Sequence, residues 1–397
     1  MTTRTTRTKK SAVERLTPAP TFDIDALLDD RDVQIIVCCG SGGVGKTTTA
    51  AALALRAADR GRKAVVLTID PARRLAQSLG LTELDNDPRV VQDVVDPANG
   101  GRLEAMMLDM KRTFDEFVEA HSDPARAQQI LANPFYQTLS SSFAGTQEYM
   151  AMEKLGQLYR RSSQTDTWDL IVVDTPPSRS ALDFLDAPQR LGSFLDSRLM
   201  RLLAAPAKSG GRAAMKFVNA GLGIFTGALK RILGSSLLDD LATFVAVFDT
   251  VFGGFQARAE QTYSLLKEPV TRFVVVAAPE ADALREAAYF VDRLANDHMP
   301  LAGLVLNRVQ PNPAPELSAQ TAAAAAEAAQ AGDAVTAGLL QLHADISRTR
   351  SRQAHLANRF TSAHPTVGVA EVPTMPGDVH DAEGLRSVGL GLAGLPA

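Results

Sequence analysis

The chain has 397 residues, of which 45% are hydrophobic and 22% charged, and its formal net charge is −4. These values are typical of a globular protein with a buried core, and they give no sign of a nucleic-acid-binding surface, so no nucleic acid is expected as a partner. The two cysteines, Cys38 and Cys39, are adjacent and can form neither a disulfide framework nor a CxxC metal site. No apolar run reaches the roughly 18 residues of a membrane span. We expect a cytoplasmic protein, with peripheral attachment to the inner face of a membrane left open.

Continuous apolar runs alternate with helical patterns along most of the chain. The runs predict seven strands, at Val33 to Cys39, Lys63 to Asp70, Leu103 to Asp109, Asp169 to Asp174, Arg272 to Pro279, Leu301 to Asn307 and Val367 to Pro373. Runs of this length without polar alternation are typical of strands buried on both faces. The sequence therefore predicts an α/β fold with a doubly wound, mainly parallel sheet and ligands at the carboxyl ends of its strands.

The domain organisation follows from where this alternation breaks. Residues 1–30 are expected to form a disordered basic tail and a short helix, and residues 386–397 a frayed, glycine-rich end. Residues 31–385 are expected to form one domain, with helical insertions at about 110–168 and 189–267. Helices are also predicted from Pro315 to Gly332 and from Ala334 to Phe360.

The strongest motif is a phosphate-binding loop, GSGGVGKTTT, at Gly40 to Thr49. It lies between a predicted strand and an Ala/Leu-rich helix, which is the context that such a loop requires. Lys46 is expected to reach the β- and γ-phosphates of ATP, and the Thr47 hydroxyl to bind Mg²⁺. The other predicted nucleotide contacts are Gly42, Gly43, Val44, Gly45 and Thr48.

A strand that ends in an aspartate opposite the phosphate-binding loop is where a P-loop protein holds its metal ion, and two of the predicted strands qualify. Asp174 follows four apolar residues in WDLIVVDTPP, which is the Walker B pattern, and is predicted to bind Mg²⁺ directly or through water. Asp70 ends the run LTID in the same way.

The string GxGGVGKTT resembles the deviant Walker A loop of the arsenite-pump and tail-anchored-protein targeting ATPases, the ArsA-like family. The resemblance implies that Asp70, in LTIDPARRL, positions the attacking water in catalysis together with Lys46. It also implies that Asn307, in LVLNRVQP, recognises adenine and that Pro373 lies near the base-packing loop. The segment DTPPSRSALDFLDAP, which follows Asp174, resembles the second switch of that family.

The chain departs from the family at Ser41, where those ATPases carry a lysine that reaches the nucleotide of the other subunit of a dimer. A serine cannot supply this cation, so the departure affects hydrolysis more than nucleotide binding. We therefore expect either a slow homodimer or a heterodimer with a paralogue that brings the lysine.

The resemblance implies a Mg²⁺-dependent ATPase that acts as a dimeric switch on a hydrophobic client or membrane partner. Two apolar helical stripes in the second insertion fit a client groove, and the alternative is that they pack as core. The stripes comprise Val218, Leu222, Phe225, Leu229 and Ile232, then Leu237, Leu241, Phe244, Phe248, Val251 and Phe255.

Two further interpretations stay open. One is the ATPase subunit of an anion transporter, with arsenite disfavoured because there are only two cysteines, and the other is a partition or division ATPase.

Overall fold

The computed structural model describes residues 20–70, 74–81, 83–133, 136–137, 146–176 and 255–396. The N-terminal tail before residue 20, the second-switch segment from Pro177 onward and the apolar stripes as far as Val251 lie outside the described residues.

The continuous apolar runs of the sequence form one eight-stranded sheet. Its strands are β1 (Ile35–Cys39), β2 (Lys63–Thr68), β3 (Arg89–Val90), β4 (Arg102–Met107), β5 (Leu170–Asp174), β6 (Thr271–Ala277), β7 (Leu301–Val309) and β8 (Val369–Pro373). The order is β3-β4-β2-β5-β1-β6-β7-β8, and neighbours are parallel except for β3 with β4. The predicted mainly parallel α/β fold is confirmed. Strand β3 was not predicted, because two residues carry no periodic signal.

Helices cover both faces of this sheet. They include α1 (Ile24–Asp29), α2 (Lys46–Asp59), α3 (Arg74–Ser78), α4 (Met110–His121), α5 (Pro124–Ala132), α6 (Thr146–Thr165), α7 (Phe255–Leu265), α8 (Ala281–Asn296), α9 (Ala319–Ala329), α10 (Ala334–Ala363) and α11 (Ala382–Leu392). Helices α4 to α6 lie where the first helical insertion was expected. Within the described ranges, no helix is long and apolar enough to cross a bilayer.

Alternate residues of β1 point into two separate hydrophobic clusters, as expected for a strand between two helical layers. Ile35, Val37 and Cys39 belong to the cluster that includes residues of α4 to α8. Ile36 and Cys38 belong to the cluster that includes residues of α1, α2 and α11. The two cysteines therefore lie on opposite faces of the sheet, and both are buried.

The chain leaves β1 towards β2 on one side of the sheet and later fills the other side with β6, β7 and β8. The winding direction therefore reverses next to β1. In open α/β sheets such a reversal creates a crevice outside the carboxyl ends of the strands. The phosphate-binding loop follows β1 and lies at this crevice.

The expectation of a frayed end from residue 386 is wrong for residues up to Leu392. Helix α11 begins after Asp381, whose carboxylate accepts a hydrogen bond of 2.7 Å from the backbone N–H of Gly384. Its Leu385, Val388 and Leu392 are buried in the cluster that contains α2. The glycine content suggested fraying, but the three apolar residues share one helical face, and burial of that face stabilises the helix.

Candidate nucleotide-binding site

The loop between β1 and α2 has positive φ at Gly40, Gly43 and Gly45, and at Gly40 and Gly45 a Cβ atom would also meet a neighbouring residue. Gly40 has φ of 151°, and a Cβ atom there would lie 2.1 Å from the carbonyl oxygen of Val276 on β6. Gly45 has φ of 94° and is the N-cap residue of α2. Side chains are excluded at both positions, because the first would collide with the neighbouring strand and the second would be strained.

Lys46 is the first residue of α2, and only 6% of it is exposed. Its ammonium group donates a hydrogen bond of 2.8 Å to the backbone carbonyl of Ser41, across the loop. Burial lowers the pKa of Lys46, and the nearby carboxylates of Asp174 and Asp70 oppose this effect. The Lys46 ammonium is thus close to the loop and to two carboxylates. In this position it can leave the Ser41 carbonyl and donate its hydrogen bond to a phosphate oxygen instead.

The carboxylate of Asp174, at the end of β5, joins three elements of the site. Its Oδ2 atom accepts a hydrogen bond of 2.7 Å from Thr47 of α2 and one of 2.8 Å from Thr68 of β2. Thr68 and Asp174 are register partners in the parallel pairing of β2 with β5. Sequence reasoning missed Thr68, because the register that brings it beside Asp174 is set by the pairing of the two strands and is not visible in the sequence.

Asp174 is completely buried, and burial raises its pKa from 3.8 to about 6, although Thr47, Thr68 and Lys46 act in the opposite direction. Its second oxygen, Oδ1, is buried without a hydrogen-bond partner among the described residues. A buried carboxylate oxygen needs either a donor or a cation, and carboxylate and hydroxyl oxygens are ligands that suit Mg²⁺. The donor set of Asp174 and Thr47 therefore fits the expected metal ion.

The described residues contain no cluster of three or more His, Cys, Asp or Glu side chains that could hold a metal ion by themselves. Mg²⁺ in phosphate-transfer sites is commonly bound by one or two protein ligands, with substrate phosphates and water completing its shell. The sparse set at Asp174 therefore favours an ion that arrives with a nucleotide.

A cleft of about 1320 Å³ opens at the carboxyl edge of the sheet and brings together most of the predicted site. On one side lie Gly43, Gly45, Lys46, Thr47, Thr48 and Asp70. On the other side lie Asn307, Pro373 and the loop from Thr374 to His380, which the sequence analysis did not assign beyond Pro373. Gly42 is exposed, whereas the Val44 side chain is buried in the core.

Asn307 lies directly against the phosphate-binding loop. Its side-chain Nδ2 donates a hydrogen bond of 2.8 Å to the carbonyl oxygen of Val44, and its Oδ1 accepts one of 2.9 Å from the backbone N–H of Arg308. The structure thus places Asn307 in the cleft, and its predicted contact with adenine stays a prediction.

A parallel sheet with a glycine-rich loop, a buried lysine at a helix start and an aspartate at the next strand end defines a P-loop nucleotide-binding protein. The family model described as anion-transporting ATPase, ArsA type, matches residues 33–331. The chain belongs to this family and is an ATPase.

Relatives of the chain carry names of the same group. It is 27% identical over 288 residues to the ATPase GET3 of Podospora anserina, which covers 72% of this chain and 76% of that protein. It is 27% identical over 287 residues to the ATPase ASNA1 homolog of Cryptosporidium parvum, and the match covers 72% of this chain and 68% of that protein. It is 26% identical over 297 residues to the ATPase ARSA2 of Chlamydomonas reinhardtii, and the match covers 74% of this chain and 72% of that protein.

The buried carboxyl of Asp174 predicts a pH-dependent stability of the protein without metal or nucleotide. Its folded-state pKa of about 6 exceeds the ordinary 3.8, so ionisation opposes folding as the pH rises between these values. Asp174→Asn should therefore gain stability over the wild type between pH 4 and 6, reaching about 3 kcal/mol above pH 7, because each tenfold change in an acid dissociation constant corresponds to about 1.4 kcal/mol. Urea unfolding in EDTA measures this difference. The exposed Asp87→Asn controls for the loss of one carboxylate, and a difference between Asp174→Asn and wild type that does not change with pH contradicts the prediction.

Proposed function

We propose that the chain is a Mg²⁺-dependent ATPase that acts as a dimeric nucleotide switch on a hydrophobic client or a membrane partner. The observation that supports its nucleotide chemistry is that Lys46 and Thr47 line one cleft and that Thr47 donates a hydrogen bond to the buried carboxylate of Asp174. The family to which the chain belongs supports the ATPase activity. Client handling and dimerisation rest on the sequence resemblance.

We assign the roles of the residues from their positions and, for Asp70, from the family resemblance. The loop N–H groups and the Lys46 ammonium bind the β- and γ-phosphates, while Thr47 and Asp174 would hold Mg²⁺. When bound, the ion would neutralise charge on the phosphate oxygens. Asp70 lines the same cleft and orients a water molecule towards the γ-phosphate, accepting its proton. Because the transition state of phosphoryl transfer is loose, this positioning is the main task of the protein.

The role of Asp70 predicts that Asp70→Asn lowers kcat by roughly 10² to 10⁴, the range of general acid–base catalysis. The affinity for ATP should stay within about threefold of the wild type, since the phosphates are bound by other groups. Steady-state turnover and nucleotide titration measure the two quantities separately. Asp87→Asn, an exposed substitution in the segment before β3, is the matched control. Unchanged turnover in Asp70→Asn would exclude Asp70 as the water-positioning group.

We further propose that the chain pairs with a paralogue that carries the missing lysine. In the loop, the backbone carbonyl of Ser41 accepts a hydrogen bond from the Lys46 ammonium, and the Ser41 side chain contributes no charge. An otherwise complete site supports a protein that still hydrolyses ATP, and a donated cation would stabilise charge that develops on the γ-phosphate.

Restoring the cation at position 41 tests this pairing. Ser41→Lys should raise the turnover of the lone chain at least about tenfold at high protein concentration, because one well-placed donor is worth roughly 10² to 10³ in kcat. Ser41→Ala is the matched control and should behave as the wild type. Fast hydrolysis by the lone wild-type chain, with no response to either substitution, would refute the need for a donated lysine.

The proposed client surface consists of the two apolar stripes in the second insertion. Each stripe repeats at the three-to-four spacing of one helical face, and the glycines between them suit an adaptable groove. A client of matching chemistry would be an apolar helix of about 20 residues, the length of a membrane span.

The client surface is tested with a fluorescent, helical Leu/Ala peptide of about 20 residues as the probe. The triple variant Leu241→Asn, Phe244→Asn and Phe248→Asn should weaken peptide binding at least about tenfold while ATP turnover persists, since covering three apolar side chains with the peptide would contribute several kcal/mol. The control is Val335→Asn, Leu339→Asn and Leu342→Asn, which changes three exposed apolar residues of α10. Equal peptide binding by the two variants would exclude the stripe as the client surface.

The two cysteines disfavour the arsenite-pump alternative. Burial raises the pKa of Cys39 to about 12 and raises that of Cys38 well above its ordinary value. Both thiols are therefore protonated at neutral pH and lie on opposite faces of β1. A soft metalloid needs several converging thiolates, which this pair cannot supply.

A further inference from the structure

The side chain of Thr68 lies between the two aspartates of the site. Thr68 is the last residue of β2, and only 1% of it is exposed. Its hydroxyl donates a hydrogen bond of 2.8 Å to Oδ2 of Asp174 on β5. The same oxygen accepts a hydrogen bond of 3.3 Å from the backbone N–H of Asp70. One buried hydroxyl therefore contacts both the carboxylate that is proposed to hold Mg²⁺ and the backbone of the residue that is proposed to orient water.

The chemistry of a hydroxyl makes these two contacts compatible. A threonine hydroxyl has one hydrogen to donate and two lone pairs that can accept. The carbonyl oxygen of Asp70 is 3.5 Å from the hydroxyl oxygen of Thr68, farther than the Asp174 carboxylate, so the hydrogen is directed at Asp174. A lone pair of the same oxygen is then available to the Asp70 N–H. The position of the Asp70 backbone is thus tied, through one atom, to that of the Asp174 carboxylate.

The chain leaves the sheet directly after Thr68. The backbone N–H of Ile69 donates to the carbonyl of Asp174 at 3.0 Å, which continues the pairing of β2 with β5. The next N–H, that of Asp70, donates to the Thr68 side chain. A threonine hydroxyl that binds the backbone two residues ahead favours a turn over further strand pairing. The hydroxyl therefore sets the direction in which the chain reaches Asp70, which lines the cleft.

We propose that Thr68 is a positioning residue for ATP hydrolysis, which holds the backbone of Asp70 in a fixed position relative to the carboxylate of Asp174. Thr68 acts on the aspartate that orients water, whereas the phosphates are bound by the loop and Lys46. Its effect is therefore on the rate of hydrolysis and not on the affinity for nucleotide. This inference rests on the proposed function, in which Asp70 orients the attacking water.

Thr68→Val tests the role of the hydroxyl, because it removes this group and keeps the branching at Cβ. Hydrolysis is measured with the protein in excess over Mg²⁺-ATP, since a single turnover separates the chemical step from binding and product release. The rate should fall by about tenfold to 10²-fold, the upper value being the loss that a displacement of about 1 Å can cause. The affinity for ATP, measured by titration calorimetry with Mg²⁺ and in EDTA, should stay within about threefold of the wild type.

Thr68→Ser restores the hydroxyl with the same donor and acceptor capacity. Its rate of hydrolysis should return to within about threefold of the wild type. A role of Thr68 in packing alone would predict the opposite order, because valine is closer to threonine in shape than serine is.

A double-mutant cycle with Asp70→Asn tests whether Thr68 acts through Asp70. Once the Asp70 carboxylate is removed, there is no water-orienting group left to position. Thr68→Val should therefore lower the rate of the Asp70→Asn protein by less than about twofold. General damage to the sheet, or weaker binding of Mg²⁺, would lower the rate by the same factor in both backgrounds.

Thr271→Val is the matched control. Thr271 is also a buried threonine of a parallel strand, and its hydroxyl donates a hydrogen bond of 2.9 Å to the carbonyl of Leu265. It is the first residue of β6 and so lies at the amino ends of the strands, opposite the cleft. Thr271→Val should leave both the rate of hydrolysis and the affinity for ATP unchanged. Thermal unfolding confirms that each variant is folded at the assay temperature.

The inference is wrong if Thr68→Val hydrolyses ATP at the wild-type rate while Asp70→Asn does not, and the proposed function then stands. Three other results would also overturn it: an equal loss in the Asp70→Asn background, a loss that excess Mg²⁺ reverses, and no recovery in Thr68→Ser. If Thr68→Val fails to fold, Thr68→Ala takes its place under the same criteria. A wild type that does not hydrolyse ATP, or an Asp70→Asn protein as fast as the wild type, would overturn the proposed function and the inference with it.

Discussion

The carboxylate of Asp174 accepts hydrogen bonds from two hydroxyls that belong to different elements, Thr47 of α2 and Thr68 of β2. Because β5 lies between β1 and β2, this one group connects the phosphate-binding loop with the strand that leads to Asp70. The parallel register that pairs Thr68 with Asp174 makes the contact possible. A slip of one residue in β2 would turn Thr68 to the opposite face of the sheet and break this connection.

Buried charged side chains lie at both ends of the parallel strands, and Arg62 at the amino ends differs from Asp174 at the carboxyl ends in how its hydrogen-bonding groups are satisfied. At the amino edge Arg62 is almost completely buried, and its guanidinium donates to the Asp169 carboxylate and to the carbonyls of Leu28 and Val33, which satisfies it within the protein. At the carboxyl edge Oδ1 of Asp174 has no such partner among the described residues. A satisfied buried charge favours one fixed structure, whereas an unsatisfied one costs stability until a ligand binds. The second arrangement is typical of a functional site.

Features that are encoded by a continuous or local sequence pattern were predicted, whereas features that depend on the pairing of distant segments were not. Strands buried on both faces appear as continuous apolar runs, and the P-loop depends on a local spacing, so both were visible. Helix α11 was missed because its three buried residues are diluted by glycines. The contact between Thr68 and Asp174 depends on strand register. The contact between Asn307 and Val44 lies at a bulge, where the pairing of β7 with β8 shifts between Leu306 and Val309. Neither register nor bulge leaves a periodic trace in one sequence, because both arise from the pairing of distant segments.

Position 41 shows how binding and catalysis can be separated within one loop. The ammonium of Lys46 donates a hydrogen bond to the backbone carbonyl at position 41. Any residue type at this position would offer the same acceptor. A serine in place of the family's lysine therefore keeps this hydrogen bond and differs in the charge of the side chain. Under the proposed function the absence of this charge affects hydrolysis rather than binding, because the groups proposed to hold the phosphates are the loop backbone, Lys46 and Thr47. Under the proposed pairing, the chain would bind ATP through its own loop and depend on another subunit for turnover.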